Sequence, residues 1–291
     1  MGGRSIIILA AFLAAAGAQA QPGGLYVDPP AHATHPATME VLHIPTGGVE
    51  INGVAYLAAG PGPHPTIIIC HGWPGNEKNL DLAQALRRAG WNAVTFNYRG
   101  SWGSPGAFRI AKVPEDAAAV SLWLRPPEVA ARLRVDLERL VLAGHSMGGW
   151  AAAMAGARDA GVRGVVLISA ADMRLIGQQP RDEVVAQARE DFETLDGTSP
   201  EAMADELIAG SSGFSLLGAA QGLASKPVLV LSSNDGLRPQ TDALVSAIKE
   251  GGGKQVTSAH VETDHGWSDR RIELSVRIAA WLEAVSGRSH R

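Results

Sequence analysis

The sequence predicts an α/β protein built on one mostly parallel sheet with helices on both faces. Three observations carry that expectation. Short continuous apolar runs rich in β-branched residues recur along the chain, as in TIIIC at 66–70 and PVLVLS at 227–232, the pattern of strands buried on both sides. These runs alternate with segments of helical spacing that carry helix start and stop residues. The chain has 291 residues, 46 % of them hydrophobic, enough to bury a substantial core without a disulfide or a metal.

The elements follow in order from residue 38. Residues 39–45 and 49–59 alternate apolar with polar and flank Gly47-Gly48, which predicts an antiparallel hairpin. A buried strand at 66–70 precedes a helix at 80–89 that stops at Gly90. A strand at 93–98 follows. A helix at 114–124 opens on Pro114, Glu115 and Asp116, the expected chemistry of a first turn. A strand at 140–143 runs into an Ala-rich helix at 147–158, and buried strands follow at 162–169 and 227–232. Helices at 240–250 and 269–285 enclose a last strand at 256–262. Between the strands at 162–169 and 227–232, residues 171–225 carry no strand signal and read as a small helical insertion.

Composition narrows the function. The 25 Lys+Arg against 29 Asp+Glu leave a net charge of −4, not the basic face of a nucleic-acid binder. Cys70 is the one cysteine, so no internal disulfide and no cysteine-based metal framework is expected; in its strand it reads as a small buried residue. No H-E-x-x-H, no P-loop lysine motif and no G-x-G-x-x-G opening a helix occurs, so neither metal nor organic cofactor is expected.

Residues 1–20 read as a secretory signal peptide: Arg4, an apolar run at 6–16 and the small-x-small site Ala18-Gln19-Ala20. The apolar run is shorter than the ~20 residues a membrane-spanning helix needs. Export to the periplasm or medium is therefore expected, with no stable membrane anchor after cleavage. Residues 21–37, with Pro22, Gly23, Gly24, Pro29, Pro30 and Pro36, read as a flexible leader, and 38–291 as one α/β domain carrying the 171–225 insertion.

The strongest chemical signal is Gly144-His145-Ser146-Met147-Gly148, followed by Gly149, between the strand RLVLA and the helix WAAAMAGA. A strand–turn–helix G-x-S-x-G forces the serine hydroxyl out above the sheet edge. The helix start behind Ser146 offers free N–H groups to a developing oxyanion. A serine hydroxyl needs a base, and chain order puts it late: His265, in VETDHGW after the last strand. His145 adjoins the nucleophile but is expected to point elsewhere, and His71, His260 and His290 lack the context. The carboxylate that fixes the base's tautomer is expected at Asp235, where PVLVLS runs into Ser233-Asn234-Asp235-Gly236. Asp264 and Asp242 are weaker alternatives. Acyl transfer also needs two N–H donors on the oxyanion. Met147 N–H is one. Trp73 N–H is the other, from His71-Gly72-Trp73-Pro74-Gly75 after TIIIC, since Pro74 has no N–H. His71 reads as a structural residue of that loop. The side chains of Trp73, Trp102 and Phe108 read equally as pocket wall or core.

In this order, HGWPG, FNYRGSWGS (96–104), GHSMGG, SSND and TDHGWSDRR resemble the α/β-hydrolase superfamily. More narrowly, they resemble small bacterial relatives of the prolyl oligopeptidase and acylaminoacyl peptidase catalytic domain. The resemblance spans about residues 40–286. It implies an α/β-hydrolase fold of about eight mostly parallel strands, a small helical lid and a Ser146–Asp235–His265 triad. HGWPG also resembles epoxide hydrolases and haloalkane dehalogenases, which carry an aspartate at the elbow, and dienelactone hydrolases carry a cysteine there; this chain has Ser146. The expected function is a serine hydrolase cleaving a small-molecule ester, thioester or amide. An acylaminoacyl peptidase-like aminopeptidase and an acyltransferase are the alternatives with the same triad. The insertion, with Leu175, Ile176, Phe192, Met203, Leu207, Ile208, Phe214, Leu216 and Leu217, is expected to set substrate choice, unless these residues simply pack inward. Its acidic residues Asp182, Glu183, Glu190, Asp191 and Glu193 read as a solvated face.

Overall fold

The computed structural model describes residues 25–287; the expected signal peptide, residues 1–20, lies outside them. Eight strands form one sheet: β1 (Thr38–Thr46), β2 (Val49–Leu57), β3 (His64–Cys70), β4 (Asn92–Phe96), β5 (Val135–His145), β6 (Gly164–Ile168), β7 (Val228–Ser232) and β8 (Val256–His260). Their spatial order is β1-β2-β4-β3-β5-β6-β7-β8. β2 pairs antiparallel with both neighbours and the remaining pairs are parallel, so β2 alone runs against the rest.

Ten α-helices accompany the sheet among the described residues: α1 (Leu80–Arg88), α2 (Val113–Trp123), α3 (Pro127–Leu133), α4 (Met147–Arg158), α5 (Met173–Ile176), α6 (Arg181–Glu190), α7 (Pro200–Gly210), α8 (Ala220–Leu223), α9 (Arg238–Glu250) and α10 (Arg271–Ser286). Side chains of a strand alternate between faces, and β3 sorts accordingly. Ile67 and Ile69 join Leu82 and Leu86 of α1 and Ile278 and Leu282 of α10. Ile68 and Cys70 join Val120 of α2, Ala151 of α4 and Leu244 of α9. Both faces are thus covered, which is why the parallel strands read as unbroken apolar runs.

Two elements depart from the sequence reading. β5 begins at Val135, not near 140, because its first residues pair with His64 and Pro65 across a bulge between Pro65 and Thr66. The charged Asp136, Glu138 and Arg139 hide that extension. α3 was not expected at all; its one buried residue is Leu133, too little periodicity to register. Residues 25–37 of the leader hold no strand, yet they are tied at two points: Arg88 donates to Leu25 O from Nη2 at 3.1 Å, and Gly60 N donates to His35 O at 2.9 Å.

The insertion contains α5 to α8 and no strand. Met203, Leu207 and Leu216 are fully buried, and Phe214 meets the Trp150 ring edge-on at 5.5 Å. These residues pack inward rather than forming an open apolar wall. Leu175 and Leu217 stay exposed. Asp182, Glu183, Glu190 and Glu193 are exposed and Asp191 is half-buried, consistent with a solvated face. Backbone bonds staple the segment to the loop after β4: Trp102 N to Thr194 O at 2.9 Å, Asp196 N to Gly100 O at 2.7 Å and Phe108 N to Asp196 O at 2.9 Å.

Candidate active site

Ser146 stands between the end of β5 and the start of α4 with φ 57° and ψ −123°. A non-glycine residue reaches such angles only where its surroundings over-determine them. Here they do. Ser146 N donates to Ile168 O at 3.0 Å, while Ser146 O accepts from Gly149 N at 2.9 Å and Ala171 N at 3.1 Å. Gly148 is required by close approach, since a Cβ there would collide with the carbonyl oxygens of Cys70 and His71. That contact presses the start of α4 against the loop after β3. Gly72 of the same loop faces Ser146: a Cβ on it would lie 3.1 Å from Ser146 Cβ.

The expected base and the expected acid are joined. His265 Nδ1 lies 2.8 Å from Asp235 Oδ2. Asp235 follows β7 and His265 lies in the loop after β8. An ionised carboxylate only accepts, so Nδ1 carries a proton and, in the neutral imidazole, Nε2 is the nitrogen with the lone pair. Asp235 also accepts from Leu237 N at 2.9 Å and from Ser233 Oγ at 2.9 Å. Burial by itself would raise the Asp235 carboxyl, but the His265 hydrogen bond, with the Leu237 and Ser233 donors, brings it down to about 2. Its side chain is only 4 % exposed, against 42 % for His265, so the acid is enclosed while the base opens to solvent. The Ser146 hydroxyl makes no hydrogen bond to His265 in this geometry; such contacts commonly tighten only when substrate binds.

The rival carboxylates are elsewhere employed. Asp264 Oδ1 accepts from Ser268 N at 2.7 Å within its own loop, and Asp242 pairs with Arg238 on α9 at 3.2 Å. Among the described residues, neither Met147 N–H nor Trp73 N–H has an acceptor. Phe108 is fully buried in the core. Trp102 is half-buried; its Nε1 donates to Pro74 O at 2.8 Å and Lys78 Nζ sits 3.9 Å over its ring. Burial lowers Lys78 to about 8. His71 is structural, as expected. Its Nδ1 donates to Gly72 O at 2.7 Å and its carbonyl accepts from Tyr98 Oη at 3.0 Å.

One expectation is corrected. His145 does not point away from the site. Its Nε2 donates to His265 O at 2.8 Å, and the two rings lie 4.6 Å apart. Burial first, then the neighbouring His265, lowers His145 to about 4 and keeps it neutral. Nothing in the sequence signals this contact, because the partner is a carbonyl 120 residues away. A cavity of about 710 Å³ runs along α4 from Trp150 to Arg158, away from its Ser146 end, and none of Ser146, Asp235 and His265 lines it.

A family model described as alpha/beta hydrolase fold matches residues 65–246, well over half of the chain. The chain belongs to the alpha/beta hydrolase family. Relatives of this α/β hydrolase include an uncharacterized protein of Mycobacterium tuberculosis (strain ATCC 25618 / H37Rv), 29 % identical over 121 residues, 41 % of each chain. Another is an uncharacterized 31.7 kDa Escherichia coli protein of the traX-finO intergenic region, 36 % identical over 108 residues, 35 % of this chain and 36 % of that one. The alignments thus span only about four tenths of the curated relatives' length. Among solved structures, the esterase of Pyrobaculum calidifontis superposes with a TM-score of 0.66 at 21 % identity, covering 87 % of this hydrolase and 88 % of that chain. EstE1, a thermostable carboxylesterase from a metagenomic library, gives 0.65 at 22 %, covering 87 % and 91 %. The acylaminoacyl peptidase of Pyrococcus horikoshii gives 0.62 at 17 %, covering 85 % of this chain and 41 % of that one. These likenesses establish the fold.

Proposed function

We propose that this α/β hydrolase is an exported serine hydrolase that cleaves a carboxylic ester, and by the same chemistry a thioester or small amide, through an acyl-enzyme on Ser146. The single observation that carries the reading is the 2.8 Å bond from His265 Nδ1 to a nearly enclosed Asp235 carboxylate, with Ser146 on a strained turn at the same end of the sheet. Ser146 Oγ attacks the carbonyl carbon while His265 Nε2 takes its proton. Asp235 stabilises the imidazolium without becoming protonated. The Met147 and Trp73 N–H groups, which have no acceptor among the described residues, receive the oxyanion. His265 then returns the proton to the leaving alcohol, and a water molecule releases the acyl group by the reverse steps. The ester preference is supported by the esterase and carboxylesterase names of the first structural neighbours, and export by residues 1–20.

A fluorophosphonate probe and a chain-length series of p-nitrophenyl esters test the reading. Ser146→Ala should abolish labelling and lower kcat on the order of 10⁶-fold, the size found when a triad serine is removed. Undiminished labelling of the alanine variant would place the nucleophile elsewhere.

A further inference from the structure

Three side chains outside the triad end on its acid. Ser233 Oγ donates to Asp235 Oδ2 at 2.9 Å. Ser169 Oγ lies 2.7 Å from Ser233 Oγ. Trp267 Nε1 donates to Ser169 Oγ at 3.1 Å. The directions follow from proton counting. The carboxylate only accepts and an indole N–H only donates. Ser233 spends its one proton on Asp235, so the proton between the two hydroxyls belongs to Ser169, which in turn accepts from Trp267. Every bond therefore points toward Oδ2, the same oxygen that takes His265 Nδ1–H.

We propose that Trp267, Ser169 and Ser233 form a one-way hydrogen-bond chain that positions the Asp235 carboxylate and, through it, His265; the proposal rests on the catalytic reading given above. The chain is dry: Ser169 and Ser233 are 1 % exposed and Trp267 is 0 % exposed, so water does not compete for its bonds and each polarises the next. It joins three separate segments, since Ser169 follows β6, Ser233 follows β7 and Trp267 lies in the loop before α10. It also closes on itself, because Trp267 is two residues beyond His265. Two of its members hold left-handed backbone, Ser169 at φ 44° and Trp267 at φ 59°, the kind of local cost retained where a side chain must be aimed. Backbone bonds secure both, Ser169 N to Leu231 O at 2.8 Å and Trp267 N to Asp264 O at 3.1 Å.

With two donors on Oδ2 and the Leu237 N–H on Oδ1, the carboxylate plane is fixed and its charge is shared. Without the Ser233 hydroxyl the carboxylate rotates more freely, and its charge falls more fully on His265, whose imidazolium is then favoured. The other ionisable groups about this pair are His145, beside the His265 ring; Asp264, next in sequence; and Arg271, whose Nη1 donates to Gly266 O at 3.0 Å. They are common to every variant below.

The test compares wild type, Ser233→Ala, Ser233→Thr, Ser169→Ala, Trp267→Phe and the Ser169→Ala/Ser233→Ala double variant. It reads kcat, KM and the pH profile of kcat/KM on a p-nitrophenyl ester, and the low-field proton resonance of His265 Nδ1–H. Ser233→Ala should lower kcat at least about tenfold with KM within about twofold, the scale of one hydrogen bond to a charged group. It should also move the acid limb of the profile to higher pH and shift the Nδ1–H resonance. Ser233→Thr should restore all three. The double variant should lose no more than Ser233→Ala alone, because the residues act as one unit. Trp267→Phe should give a smaller change in the same direction. Should Trp267→Phe fail to fold, the serine variants decide alone. An unmoved acid limb and resonance in Ser233→Ala, or losses in the double variant that multiply, would overturn the chain. A wild type that neither hydrolyses esters nor labels at Ser146 sinks the acyl-enzyme reading instead, and the resonance still reports on the chain by itself.

Discussion

The carboxyl end of the sheet and the insertion at 171–225 are built on different principles. At the sheet end, positions are over-determined. Ser146 is held in a forbidden-looking turn by backbone bonds at both its N–H and its carbonyl, Gly148 leaves no room for a Cβ, and Asp235 accepts from three donors. The insertion is held inside by apolar packing, at the loop after β4 by three backbone bonds, and outside by exposed ion pairs, Arg181–Asp205 and Arg189–Glu201. The difference teaches where precision is needed. Reacting groups tolerate little displacement, because a misplacement of an ångström costs orders of magnitude in rate.

The largest expected effect at the sheet end, after that of Ser146→Ala, comes from Asp235 as the proposed orienting acid. Asp235→Asn should leave the fold intact and cost roughly 10³–10⁴ in kcat by favouring the wrong imidazole tautomer. Asp264→Asn should cost far less, since its carboxylate caps its own loop. Steady-state kinetics on both variants decides; a reversal would make Asp264 the orienting acid. The comparison sharpens next at Leu207, fully buried in α7. If the insertion is docked as part of the core, Leu207→Ala should lower global stability by about 2–5 kcal/mol in urea unfolding. A detachable lid would instead soften locally, leaving the global transition in place.

A third effect separates the site's buried histidines from the rest of the molecule. His71 and His145 are both lowered to about 4, chiefly by burial. The unfolded chain takes up these protons near 6.5, so between pH 6.5 and 4 it binds more protons than the native state. Stability is therefore complete above 6.5 and falls as the pH drops toward 4, by up to ~3 kcal/mol for each histidine. His145→Phe should remove about one proton from that dependence, measured as urea midpoints across the interval. An unchanged slope would mean that His145 titrates normally in the native state.

Much of this was legible in the sequence because it rests on local rules. The elbow is written in GHSMGG between a strand and a helix, and the limits of α4 coincide with the expected 147–158. The order of Ser146, Asp235 and His265 followed from chain order, and the sheet from its apolar runs. What stayed hidden depends on partners distant in sequence. The His145 bond ends on a backbone carbonyl, and Ser169 meets Ser233 across 64 residues; serine is too common for such pairing to leave a local trace. The inward packing of Met203, Leu207 and Phe214 was equally invisible, since an aliphatic helix face looks the same whether it covers a site or a core.

The smallest effect probes the outer shell of the insertion. Arg181 Nε reaches Asp205 Oδ1 at 2.7 Å, linking α6 to α7, but the two side chains are 53 % and 60 % exposed. Water screens such a pair, and holding two long side chains in one geometry costs entropy that offsets the attraction. Asp205→Asn should therefore shift the melting temperature by less than about 1 °C and leave ester hydrolysis unchanged. Val184 of α6 and Met203 and Leu207 of α7 all lie in the same buried core, which holds the helices without the ion pair. A drop of several degrees on losing the Asp205 charge would show that the insertion is docked by its surface electrostatics. In that event high salt should loosen it in the wild type as well, and the contrast between a determined sheet end and a merely packed insertion would have to be redrawn.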